Sequence, residues 1–317
     1  MKFLFNQVSN GLSNRIISII SSQKIAEVCN RKLVVIWKNE IACPCFFEDI
    51  FEKNNFLVIK DISDFDTKFS NLKLTEFLMK DQIIGVDLLK LNEDIVYIKS
   101  PILNVDKCEK NQEYTDYLID KLYLDGKHRF DLAKKWKDKK FEKEARNHRD
   151  ALIEVQKNCY DYIKKNLLSY LENLKIKKEI IKVVENFSKI FNDKTAGVHI
   201  RLTDNPFPYA DYEIFENKTK NLIDAGYDIF LASDNKSSEE NLKEKFKDKI
   251  ITYQKEYAIP DFIDDSWPPK QYRHTSVVDA MVDLLLLSKT RKIFKPCFST
   301  FGILSALYGG IEYECVY

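Results

Sequence analysis

The stretch from Thr195 to Asn205 concentrates side chains that could do chemistry. A short apolar run, Ala196 to Ile200, has the pattern of a buried strand, and it gives way at once to polar groups at His199, Arg201, Thr203 and Asp204. In open α/β sheets ligands collect beyond the carboxyl ends of the strands, so a strand finishing in His-x-Arg-x-Thr-Asp is placed to meet one. His199 and Arg201 are two apart and project to the same face of an extended segment. An imidazole beside a guanidinium suggests an anionic ligand, because the guanidinium is a planar fork of donors matched to phosphate or carboxylate oxygens. The same residues are compatible with Arg201 paired to a neighbouring carboxylate and His199 satisfied by backbone.

Two further strand ends repeat the pattern. Tyr227 to Ala232 is an apolar run that ends in Ser233, Asp234 and Asn235, and Lys292 to Lys295 leads through Pro296 and Cys297 into Ser299 and Thr300 at the head of a last helix to Leu307. Between them the spacing predicts helices over Asp211 to Asp224, Ser237 to Phe246 and Ser276 to Ser288, with a strand over Lys249 to Gln254. The helix from Ser276 is strongly apolar yet carries Asp279 and Asp283. A Rossmann-like domain is therefore expected from residue 193 onward, with Arg201, Ser233 to Asn235 and Ser299 to Thr300 converging on one crevice. Asn205 to Tyr209, with two prolines, reads as a loop beside the motif, and the aromatic, proline-rich stretch around Trp267 as a crevice lining or lid.

The opening of the chain has the signature of a βαβ unit. Lys2 to Gln7 is a strand, Ile16 to Cys29 a helical stripe and Leu33 to Trp37 an unbroken apolar run of the kind buried in a parallel sheet. Gly11 falls in the turn, where a tight bend is expected, and Ser13 or Asn14 can cap the helix. Such a turn offers backbone N–H groups to an anion or a sugar hydroxyl, or is simply a turn and a cap. A short helix over Phe46 to Phe51 and strands over Phe56 to Lys60 and Asp94 to Lys99 follow, with Leu74 to Leu91 ambiguous between helix and strand. From about residue 111 to 192 the chain is Lys-, Glu- and Tyr-rich without proline, and Ala151 to Leu168 and Ile176 to Phe191 have amphipathic helical spacing. The expected organisation is α/β: a Rossmann-like domain over 1–192 that includes a helical insertion, and a second over 193–317, facing each other across a cleft.

Composition narrows the classes. The 317 residues suffice for two cores, and 50 Lys and Arg against 49 Asp and Glu leave no bulk field to recruit nucleic acid or an anionic membrane surface. The charge run from Lys134 to Lys143 is read as a solvated helix face. No apolar run approaches the ~20 residues of a membrane span, and a cytoplasmic location is expected. Seven cysteines, scattered and with one Cys-Pro-Cys at Cys43 and Cys45, argue for free thiols against a disulfide framework or a structural zinc site. A dehydrogenase is disfavoured, since no Gly-x-Gly-x-x-Gly follows any strand.

Taken as an ordered set, Gly11-Leu12-Ser13-Asn14-Arg15, His199-Ile200-Arg201-Leu202-Thr203-Asp204, Leu231-Ala232-Ser233-Asp234, and Asp283 through Ser288 to Phe298-Ser299-Thr300-Phe301, the chain resembles the fucosyltransferase superfamily of GT-B architecture that includes the α1,6-fucosyltransferases and protein O-fucosyltransferases. The resemblance covers the C-terminal half and about the first 50 residues. It implies a metal-independent, inverting transfer from a GDP-sugar, GDP-fucose above all, to a glycan or protein acceptor. It implies that Arg201 clamps the diphosphate and stabilises the charge growing on the leaving group, that His199 supports the nucleotide, and that Asp283 accepts hydrogen bonds from guanine. Ser299 and Thr300 would donate to the phosphates at a helix start, Asp234 would belong to the donor site, and Asn14 and Arg15 would approach donor sugar or acceptor from the other domain.

Each position also has a purely structural use: Asp283 could pair with Arg273 or Arg291, and Ser299 could be an ordinary N-cap. The sequence departs from the α1,6 pattern where a catalytic Glu is expected shortly after the His-x-Arg motif; Tyr209 falls near that position. Asp204, Asp211 and Glu213 are the candidates for a general base, with catalytic roles expected of Arg201, Asp204 and Asp211. A nucleotide- or glycan-binding module of the same fold that has lost catalysis is the alternative.

Overall fold

Apolar runs become buried strands wherever helices cover both faces, and this chain builds two sheets in that way. The computed structural model describes residues 2–64, 74–78, 94–99, 142–202, 212–257, 275–297 and 299–316. The first sheet is formed by β1 (Phe3–Val8), β2 (Lys32–Trp37), β3 (Leu57–Ile59), β4 (Leu74–Leu78) and β5 (Ile95–Lys99), all parallel, in the order β3-β2-β1-β5-β4. Helix α1 (Leu12–Val28) crosses from β1 to β2, and the one-turn α2 (Phe47–Ile50) follows β2. α1 is buried almost all round, Ser13, Arg15, Ser18, Ser21 and Ser22 included, and Asn6 of β1 donates to Ser18 Oγ at 2.8 Å across the interface.

The entry to α1 differs from the expected cap. Gly11 is itself the N-cap, with φ −69°, and Ser13 and Asn14 lie inside the helix. Ser13 Oγ is buried and finds no hydrogen-bond partner among the described residues. The bend is made by Asn10, in the left-handed region at φ +64°, a conformation asparagine tolerates better than most side chains. Helical periodicity became visible only at Ile16 because, after Leu12, the preceding buried positions Ser13 and Arg15 are polar.

Three helices follow: α3 (Glu142–Asn166), α4 (Leu168–Asn173) and α5 (Lys178–Phe187). The second sheet contains β6 (Thr195–Ile200), β7 (Asp228–Ser233), β8 (Ile250–Ile251), β9 (Ile293–Pro296) and β10 (Tyr313–Val316), again parallel, in the order β10-β9-β6-β7-β8. Its helices are α6 (Tyr212–Asp224), α7 (Lys236–Phe246), α8 (Val277–Leu287) and α9 (Thr300–Gly309). The described residues fall into two compact units. One lies within Met1–Tyr117 and Lys165–Lys177, the other within Leu118–Lys164 and Lys178–Tyr317, so α5 belongs with the second sheet. No helix among the described residues is long and apolar enough to cross a membrane.

Strand alternation decides what each face of β6 does. Ala196, Val198 and Ile200 join Ile229, Leu231 and Phe294 in a core closed by Phe215 and Leu222 of α6 and Leu242 of α7. Gly197 and His199 take the other face. A Cβ at Gly197 would come within 2.8 Å of Leu287 and Thr290, so α8 lies directly on this strand. In sequence order β7 and β8 extend the sheet to one side of β6 and β9 and β10 to the other. The strand order therefore reverses between β6 and β9, the topological switch point beyond whose carboxyl ends doubly wound sheets bind ligands.

Candidate functional site

At that switch point the end of β6 meets the start of α9. His199, 6% exposed, stacks on Phe301 with ring centroids 4.7 Å apart, and its Nδ1 lies 3.4 Å from Ser299 Oγ. Burial pushes its pKa well below the usual imidazole value, and the charges of Arg201, Lys295 and Lys255 depress it further, so the ring is neutral. Arg201 is half-buried just past the strand end. Its proximity to His199 follows from the two-residue spacing, whereas Lys255 and Lys295 arrive from other parts of the chain.

Lys295 is fully buried on β9, beneath the first turn of α9. Its Nζ donates to Gln156 Oε1 and, at 3.1 Å, to the Pro296 carbonyl, and it sits 5.1 Å from the Tyr313 ring centre. Glycine at 302 makes room for it, since a Cβ there would be 2.6 Å from Lys295 Cδ. Ser299 occupies the N-cap position of α9 without a side-chain cap bond, and Thr300 opens the helix. The hydroxyl of Ser299 is thus turned to His199 rather than to its own helix.

The end of β7 is built from local bonds. Ser233 Oγ accepts from Asn235 N at 3.0 Å, and Asn235 Oδ1 caps α7 by accepting from Ser238 N at 2.8 Å. Asp234 Oδ1 accepts from Leu202 N at 3.0 Å, which fastens the end of β7 to the residue that follows Arg201.

Asp283 lies in the middle of α8, a helix fixed at its start by Ser276, whose Oγ accepts from Asp279 N at 2.9 Å. Its side chain is 7% exposed and its cation is Lys255, Nζ to Oδ2 2.5 Å, on a side chain 1% exposed. Of the two arginines expected to pair with it, Arg273 lies outside the described residues, and the cation on the carboxylate is Lys255 instead of Arg291. The same ammonium is 3.8 Å from Glu239 Oε2. Glu239 in turn accepts from Tyr257 OH at 2.6 Å and from Lys243 at 2.7 Å. Asp283 Oδ1 is buried and has no hydrogen-bond partner among the described residues. Burial pushes its carboxyl up to about 6 against the lowering effect of Lys255.

Asn14 and Arg15 belong to the first unit, and Arg15 is fully occupied there. Its guanidinium donates to the carbonyls of Asn10 at 2.9 Å and Lys38 at 2.6 Å, lies 3.4 Å from Glu40 Oε2 and stacks over Trp37 at 4.7 Å. It ties the β1–α1 turn to the exit of β2. Asn14 is half-buried. Thr203, Asp204, Tyr209, Asp211, Trp267 and Phe298 lie outside the described residues, and Glu213 is exposed in the first turn of α6. Among the described residues no group of three or more His, Cys, Asp or Glu could hold a metal ion.

His199, Arg201, Ser299, Asp234 and Asp283, all anticipated from sequence, therefore belong to one unit, with His199, Arg201 and Ser299 together at the switch point. Lys255, Lys295 and Glu239 had no sequence signal. What the geometry offers is a guanidinium beside a helix N-terminus, suited to an anion, and a buried carboxylate with one oxygen open among the described residues, suited to a donor-rich group.

No protein-family model and no curated protein matches this chain. Solved structures do. The NodZ α-1,6-fucosyltransferase co-crystallised with GDP matches over 96% of this chain and 91% of its own, with a TM-score of 0.53 and 13% identity. A mutant of Arabidopsis thaliana FUT1 in complex with GDP matches over 100% of this chain and 71% of its own, with a TM-score of 0.55 and 14% identity. POFUT1 in complex with GDP matches over 99% and 98%, with a TM-score of 0.50 and 12% identity. Likeness at this identity is likeness of fold alone.

Proposed function

We propose that this chain, folded like the GDP-bound fucosyltransferases, is a GDP-sugar-dependent glycosyltransferase that moves fucose from GDP-fucose to a glycan or protein acceptor. The observation that carries the reading is Arg201 just past the end of β6, beside a buried, neutral His199 that faces Ser299 at the start of α9, at the strand-order reversal of the second sheet. In this reading the diphosphate lies against Arg201 and the N-terminus of α9, where Ser299 and Thr300 begin the helix, and Asp283 accepts from the guanine edge. As the bond from fucose to phosphate breaks, negative charge grows on the departing GDP, and the Arg201 guanidinium with the N-terminus of α9 stabilises it. That role is one a divalent metal has in other transferases, so we assign a metal-independent reaction.

Inversion follows if the acceptor hydroxyl attacks the face opposite the leaving GDP in a single displacement. Asp204 or Asp211 is the proposed base for the hydroxyl proton, and an oxocarbenium-like transition state lessens the demand on it. The scattered, odd-numbered cysteines go with a cytoplasmic location.

Calorimetry with GDP, UDP and ADP tests the reading. GDP should bind at least about tenfold more tightly than either, a difference of about 1.4 kcal/mol. Equal binding of the three removes guanine recognition by Asp283. Release of fucose from GDP-fucose separates an enzyme from a binding module that has lost catalysis, because the latter leaves the donor intact.

A further inference from the structure

We propose that Lys255, held in place by Glu239, is the positioning residue of Asp283: it engages one carboxylate oxygen and leaves the other as the acceptor for the nucleotide base. The inference rests on the functional reading above and adds to it the pair of residues that makes Asp283 usable. A carboxylate in the middle of an apolar helix is an expensive group, and a buried oxygen without a partner adds a further desolvation penalty. Asp283 carries both penalties, for its Oδ1 is buried and unbonded among the described residues while Oδ2 is fixed to Lys255. Such an atom is explained when a ligand brings the missing donor. Guanine offers adjacent N–H donors on one edge and adenine does not, so an ionised carboxylate with one open oxygen selects the former.

Lys255 does not stand alone. It and Tyr257 are two apart on the segment after β8, and Tyr257 OH bonds both Glu239, at 2.6 Å, and the Ser233 carbonyl, at 3.1 Å. That pins the segment against the ends of β7 and α7 and holds the ammonium between two carboxylates, 2.5 Å from Asp283 and 3.8 Å from Glu239. The groups that bear on the Asp283 carboxyl are therefore Lys255 from this segment, which favours ionisation, and Glu239 from α7 and Asp279 from its own helix, which oppose it. Tyr253 and Tyr257 are the neighbouring hydroxyls, and both feel the Asp283 charge.

Opposite signs give a test. GDP affinity of the full chain is measured by calorimetry from about pH 5 to about pH 9 for the wild type, Lys255→Met and Glu239→Gln. Wild-type affinity should fall as the pH drops through about 6. Lys255→Met should move that fall to higher pH by roughly 1–3 units, weakening GDP near neutrality and recovering at the alkaline end, and Glu239→Gln should move it to lower pH. Lys255→Arg, which keeps the charge, should stay near the wild-type profile. A uniform loss at every pH, an unmoved profile, or movement of both variants in one direction overturns the proposal. Should Lys255→Met not fold, the direction of Glu239→Gln decides. A folded wild type that binds GDP at no pH overturns the functional reading, and this inference with it, which is distinct from GDP binding with an unmoved profile.

Discussion

His199 is an imidazole denied its proton by burial and by three cations, and Arg201 is the one of those cations that the sequence placed beside it. The two side chains divide the work. A neutral ring stacked on Phe301 shapes the site, and the guanidinium supplies charge. Arg201→Ala should therefore lower fucose transfer by about 100- to 1,000-fold, the loss typical of one electrostatic donor to a growing negative charge, with the thermal midpoint little changed. Turnover within a few-fold of wild type in a folded variant would remove Arg201 from the site. Asp283 makes a prediction of another kind. Its carboxyl is raised from 3.8 to about 6, so between those values the folded chain keeps a proton that the unfolded chain has released. Stability from this group is accordingly full at low pH, is lost as the pH rises towards 6, and stays lost above it. Removing the charge with Asp283→Asn should look increasingly favourable as pH rises. The stability difference between variant and wild type, from urea melts, should shift in the variant's favour by roughly 2 kcal/mol between about pH 4.5 and about pH 7.5. A difference that does not move with pH would mean the carboxyl is not raised.

The elements that hold these residues are set by close contacts of backbone. A Cβ at Gly309, the last residue of α9, would lie 2.3 Å from the Ser288 carbonyl oxygen at the end of α8, and the next residue, Gly310, closes the helix in the left-handed region at φ +61°. α8 carries Asp283 and α9 begins at Ser299 and Thr300, so this contact spaces Asp283 from the N-terminus of α9. Gly309→Ala must push the helices apart, because the obstructing atom is main chain. It should cost about 1–3 kcal/mol and weaken GDP as well, measured by urea melts and calorimetry on the same preparation. Unchanged stability would show that the two helices are free to slide. The elements themselves were largely legible: the runs at Leu33 to Trp37 and Ala196 to Ile200 are β2 and β6 within a residue, since unbroken apolar runs have few other uses. Elsewhere tertiary contacts outweighed local pattern. The strand expected over Lys249 to Gln254 pairs only at Ile250–Ile251, because the chain then turns to bring Lys255 and Tyr257 over α7 and α8. β10 left no signal at all, Tyr-Glu-Cys-Val being a half-exposed edge strand without alternation.

On the scale of the whole molecule, charge is balanced and function is local. The formal net charge is +1, so nothing draws an anion from a distance, yet Arg201, Lys255 and Lys295 act on a single histidine. Only Arg201 was visible as part of that group. A buried lysine has no local signature, and Lys295 is buried because Gln156, 139 residues earlier, comes back to receive its ammonium. The missing part of the site was thus the part made by folding: Lys255 is committed to Asp283 and Glu239 and Lys295 to Gln156 and the Pro296 carbonyl, so the positive charge proposed for the phosphates is that of Arg201 and the N-terminus of α9. A diphosphate leaving group demands such charge, and a transferase meets the demand with a divalent cation or with fixed side chains. Here Arg201, half-buried, and the first turn of α9 flank the end of β6 at the switch point. Transfer from GDP-fucose should therefore persist in excess chelator and gain less than about twofold from added magnesium or manganese. Activity abolished by chelator and restored by either ion would mean that Arg201 and the start of α9 do not meet the charge on the departing GDP.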